Sequence, residues 1–156
     1  TTLGLLYCMS GIGSGVGPVA ARVFTQDRIP ALRKAIGLGF GIAAAGLFTI
    51  APLYSFLMML VGGLLRSIGG GIVWVFSTQL LLLLAPTRVR GRVFSFEQAG
   101  FSLFGAISAA AGGQILDRFS DFSTVVYGFG LITLLPLVAW SLWCWLRPPI
   151  DPNQFT

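Results

Sequence analysis

Residues 53–85 read LYSFLMMLVGGLLRSIGGGIVWVFSTQLLLLLA, a long apolar stretch interrupted by one charge, Arg66, and by three consecutive glycines, Gly69, Gly70 and Gly71. About 20 apolar residues cross the hydrocarbon core of a bilayer at about 1.5 Å of rise each, so this stretch is long enough to span it. Arg66 then lies well below either surface. A soluble core helix is the competing reading, and composition argues against it. The chain is 55% hydrophobic and only 10% charged, with a mean hydropathy of +0.86, whereas soluble domains carry about 25% charged residues. The chain reads as a membrane protein, and a charge inside a span requires a function or a partner.

Working outward from this stretch, apolar runs predict five spans, 1–21, 35–51, 53–85, 93–116 and 124–146, followed by a short tail, 148–156. The fold class is all-α, a polytopic transmembrane helix bundle. The net charge of +5 is distributed unevenly. Arg22, Arg28, Arg33 and Lys34 fill the first connection, Arg88, Arg90 and Arg92 the third, and Arg147 follows the last span. The second connection has no basic residue, and the fourth has only Arg118 beside Asp117 and Asp121. Short cytoplasmic loops are enriched in Lys and Arg, which places the first and third loops and the tail inside and the N-terminus outside. The same rule accounts for the basic clusters, which are too short for a nucleic-acid surface. Thr1 already begins an apolar segment, with no initiator Met or charged leader before it, so the chain is expected to be the C-terminal piece of a longer protein.

The sequence has no histidine, which removes Ser-His and Cys-His nucleophilic sites and His-ligated metals. Cys8 and Cys144 lie in spans near opposite ends and read as packing residues. No cofactor, metal or enzymatic activity is expected. A membrane transferase acting on lipid headgroups would need paired acids on one helix, and Glu97 and Asp117 lie at opposite ends of theirs.

Glycines spaced four apart, Gly11 with Gly15, Gly13 with Gly17 and Gly37 with Gly41, predict close helix packing, as does the stripe Gly105, Ala109 and Gly113. Trp140, Trp143 and Trp145 at the inner end of the fifth span read as interfacial anchors, and Pro136 as a kink. Besides Arg66, the spans hold Gln79 and Glu97, each about 9 Å from the cytoplasmic end of its span and therefore candidates for a mutual hydrogen bond. Arg66 lies about 20 Å deeper than Glu97, too far for a direct pair in one conformation. These three residues are the candidate substrate or coupling pathway, with the partner of Arg66 expected elsewhere or in the substrate itself.

Three patterns together resemble the major facilitator superfamily of transporters. Leu64-Leu65-Arg66-Ser67-Ile68-Gly69-Gly70-Gly71 looks like that family's arginine followed within a turn by glycines. Pro86-Thr87-Arg88-Val89-Arg90-Gly91-Arg92-Val93 looks like its PxxxRGRV loop. Gly112-Gly113-Gln114-Ile115-Leu116-Asp117-Arg118-Phe119 is similar to the glycine pair and DRF sequence that close its eleventh helix. The loop after the first span departs from the family's GxxxDRxGRR: Gly17 and Arg22 match, Ala21 replaces the aspartate, and Arg33-Lys34 comes late. The matching residues of these motifs are the expected family-motif and gating-loop positions, and the departure weakens the implication of a conformational latch in this first loop.

The resemblance implies that the spans are helices eight to twelve of a twelve-helix secondary transporter, a partial major facilitator fold. Its members rock two halves about a midplane site, so the implied partners are the bilayer, a small-molecule substrate and the N-terminal half of the same transporter. The placement of PxxxRGRV is most similar to bacterial efflux members, implying an inner-membrane location. The alternative is a small membrane subunit or assembly factor that binds partner helices without transporting.

Overall fold

The computed structural model describes residues 2–25, 28–119 and 121–147. Among them, every regular element is a helix: α1 (Thr2–Thr25), α2 (Ile29–Ile50), α3 (Phe56–Leu84), α4 (Arg90–Phe119) and α5 (Phe122–Leu146). All five are long and apolar enough to cross a membrane. The tail 148–156 lies outside the described residues.

Local chemistry sets the helix ends. Ser55 caps α3, its hydroxyl accepting the Met58 N–H at 3.2 Å. No proline interrupts α3, and just past its end at Pro86 Arg90 reaches back, its Nε donating to the Ala85 carbonyl at 3.0 Å. Asp121 caps α5 by accepting from the backbone N–H groups of Ser123 at 3.1 Å and Thr124 at 3.3 Å. The Thr124 hydroxyl above all holds the Asp121 carboxyl below the usual carboxylate range, with desolvation next in size opposing it and the two N–H groups adding to the lowering. The turn between α2 and α3 is tight. Leu53 takes a φ of 54°, the left-handed region that costs a branched side chain strain, and the Ser123 hydroxyl donates to the Ala51 carbonyl beside it.

The helix α2 begins at Ile29, ahead of the apolar run, because extended Arg28 precedes Pro30, whose fixed φ suits a first turn. Arg33 and Lys34 therefore belong to this helix and not to a connecting loop. Arg33 is buried: its guanidinium lies 4.4 Å from the Trp143 ring centroid, and Nη2 donates to the Arg147 carbonyl at 3.3 Å. Trp140 Nε1 donates to the Arg33 carbonyl at 2.9 Å. Two of the three tryptophans expected as interfacial anchors thus clamp α5 to α2, Trp143 keeping one side exposed, while Trp145 is 82% exposed.

Helix α3 is the centre of the bundle, with α2 against one side and α1 against another. Glycine permits this approach. A methyl group on Gly17 would lie 2.8 Å from the Ile68 carbonyl oxygen, and one on Gly13 2.9 Å from that of Leu64. Across the other seam a methyl on Gly62 would lie 2.7 Å from the Gly46 oxygen, and one on Gly69 would collide with the Gly39 oxygen and the Ala43 nitrogen. Below these glycines the seam fills with Leu32, Ile36 and Phe76, all fully buried. Helix α5 packs on α2, whereas α4 touches α5 only lightly and has no buried residue in its span.

Candidate functional site

Arg66 is exposed on α3, and Ser67 beside it is buried, its hydroxyl 2.8 Å from that of Ser10 on α1. The backbone of Arg66 presses on Gly46 of α2, so both flanking seams fix the helix at this point while the guanidinium points away from them. Arg66 forms no ion pair or hydrogen bond among the described residues. By helical rotation, Arg66, Gly70, Ser77 and Leu81 fall within about 60° of one another, forming one stripe along α3. The lower part of that stripe meets α4: Ser77, Leu81, Phe96 and Glu97 line a cavity of about 520 Å³. About one turn further along both helices, Trp74 of α3 and Phe101 of α4 meet with ring centroids 4.7 Å apart.

The three glycines after Arg66 serve three directions. Gly69 faces α2. Gly71 faces α1, where a methyl would lie 2.6 Å from the Ser14 oxygen. Gly70, between them, has nothing within 4 Å of its missing side chain and belongs to the open stripe. A turn of helix so built is smooth on both packed sides and unobstructed on the side of the arginine.

Glu97 is half-buried, and its Oε1 accepts from the Thr78 hydroxyl at 3.1 Å. Thr78 immediately precedes Gln79, itself half-buried and engaged in a contact. The sequence pointed to this turn of α3 through the amide and passed over the hydroxyl, since threonine is ordinary in a span. Thr78→Val and Glu97→Gln are expected to be non-additive in thermal stability, with a coupling of about 1 kcal/mol, the usual size of hydrogen bonds inside membranes. Melting curves of the single and double variants measure it, and additive losses would show that the pair is not coupled.

The family-motif residues fall into packing and loop roles. Gly17 lies against Ile68, and a methyl group on Gly112 would lie 3.2 Å from the Phe129 ring. Arg22 lies in the last turn of α1, its carbonyl accepting from the Thr25 hydroxyl at 3.4 Å. Pro86 opens the turn closed by the Val89 N–H at 3.0 Å, and Arg90 caps α3. Gly91 and Arg92 are exposed at the start of α4, and Gly113, Asp117 and Arg118 are exposed towards its other end. Among the described residues no cluster of three or more His, Cys, Asp or Glu is placed to hold a metal. Arg33 escaped the sequence reading as a buried cation; the available signal was Trp140, Trp143 and Arg147 spaced along one face of α5.

A sequence model described as Major Facilitator Superfamily matches residues 1–155. No curated protein and no solved structure matches the chain.

Proposed function

The chain belongs to the major facilitator superfamily, and from that membership we propose that its five helices are helices eight to twelve of a secondary active transporter, working by alternating access against a partner half. The observation that carries this reading is α4, a membrane-length helix with none of its span buried, beside the open stripe of α3 that holds Arg66. A rocking half must keep one face free to meet the other half and line the pathway. Arg66 and Glu97 on that face, together with Gln79 on another side of α3, are the proposed substrate or coupling residues. The PxxxRGRV loop supports export of a small molecule across a bacterial inner membrane.

Gly70 tests the reading. It lies midway along α3, about 21 Å from each end, and has room for a side chain. In the natural full-length protein, with Cys8, Cys144 and every other native cysteine replaced by Ser, Gly70→Cys is expected to react with a membrane-impermeant maleimide applied from either face of the membrane. Reaction from one face only would reject alternating access and favour a subunit that binds partner helices.

A further inference from the structure

A groove of about 780 Å³ runs between α2 and α5, away from the α3 seam, and its two ends differ in chemistry. At the basic end are Arg33, Lys34 and Arg147; beyond them the walls are Gly37, Gly41 and Ala45 of α2 facing Leu137 and Ser141 of α5. Among the described residues no carboxylate lines it. Leu38, on the same wall, is 67% exposed, so the groove opens outward to the bilayer and not into the bundle. Arg33 is already fixed on Trp143 and the Arg147 carbonyl. It supplies a rooted positive charge behind the exposed Lys34 and Arg147.

We infer that this groove binds one anionic glycerophospholipid, with the phosphate on Lys34 and Arg147 and an acyl chain laid along Gly37, Gly41 and Ala45. Charge decides the headgroup, because basic pockets between helices on the cytoplasmic side suit anionic lipids. Length decides for a lipid over free phosphate: Lys34 to Ala45 covers about 17 Å along the helix, close to one leaflet of a hydrocarbon core about 30 Å thick. The glycines make the trough. Gly41 has nothing within 4 Å of its missing side chain, and Gly37 meets only the Trp140 ring at 3.7 Å. A second groove on α1, lined by Gly11, Ile12, Gly15 and Val16, is similarly apolar but has no cation, which makes it an internal control.

The test uses the full natural chain in phosphatidylcholine nanodiscs containing a minor share of phosphatidylglycerol with a photoactivatable acyl chain, and maps labelled peptides by mass spectrometry. Labelling is expected to concentrate on residues 37–45 and 137–144 over residues 11–23. The double variant Lys34→Gln, Arg147→Gln is expected to lower it about tenfold, in line with two lost lipid-facing charges. Gly41→Leu fills open space, so it is expected to remove the label while leaving the melting temperature unchanged. Equal labelling of the α1 groove would overturn the inference, as would an equal loss in the control Arg22→Gln, Arg88→Gln, which points to bulk surface charge. Displacement of the label by soluble glycerol phosphate, or crosslinking of a cysteine at 41 to the chain beyond Arg147, would also overturn it.

Discussion

Gly69→Leu is expected to deplete folded protein from the membrane, whereas Gly70→Leu, one residue later, is expected to fold as the parent does. The contrast follows from what surrounds each position. A side chain at Gly69 collides with the Gly39 oxygen and the Ala43 nitrogen, which are backbone atoms of α2 and cannot rotate aside. The alternative is to part α2 from α3, and the same seam holds Gly46 against the Arg66 backbone and Gly62 against Gly46. Overpacking costs about 1–3 kcal/mol where neighbours can yield; here they are main chain, so the cost falls at or above the upper end. Helices in a bilayer are held by packing rather than by release from water, and a separated seam has no hydrophobic gain to offset its loss. At Gly70 the space is open, so Gly70→Leu keeps the fold but crowds the stripe of Arg66 and is expected to impair transport. Size-exclusion profiles after graded heating decide the first point, and a Gly69→Leu variant melting with the parent would refute the seam.

The spacing of glycines announced close packing but not which face meets which neighbour. Gly13 and Gly17 meet α3 as their four-residue spacing suggests, but Gly11 and Gly15 have the same spacing and nothing beside them. In α2 the pair Gly37 and Gly41 borders an outward groove, while Gly39 and Gly46, seven residues apart, make the α3 contact. Gly105 and Gly113 meet nothing within 4 Å among the described residues. A periodic pattern fixes an azimuth on one helix, and the partner's azimuth is a tertiary fact. Arg33 was misplaced for a related reason. Charge near an apolar run reads as loop, yet this guanidinium is enclosed by an indole face and a carbonyl that come from α5, more than a hundred positions away. The membrane class and the all-helical fold, by contrast, depend on composition and run length alone, and these are local properties.

Arg66→Ala is expected to abolish transport while leaving the fold at least as stable as the parent. An arginine at the centre of a membrane helix costs about 2.5–3.5 kcal/mol on insertion scales. Here that cost is set on an exposed face of α3 with no ion-pairing partner among the described residues. Two roles explain such a charge, and they differ in the sign of the stability change. If Arg66 neutralises a buried carboxylate in the partner half, its removal strands that charge and destabilises the protein by about 3–5 kcal/mol. If it faces the pathway and meets an anionic substrate or coupling group only during the cycle, removal relieves a cost in the resting protein and eliminates the interaction that turnover needs. The proposed function requires the second. Arg66→Lys separates charge from shape: a lysine keeps the positive charge but not the planar fork that binds carboxylate or phosphate through two hydrogen bonds. It is therefore expected to retain a minor fraction of transport, with weaker apparent substrate affinity. The measurement is uptake into everted vesicles, whose outer face is the cytoplasmic one, of a compound that the parent moves, alongside the melting temperature of each variant. Unchanged transport in Arg66→Ala would remove this residue from the pathway, and lost transport together with a large fall in melting temperature would make it a structural partner of the other half.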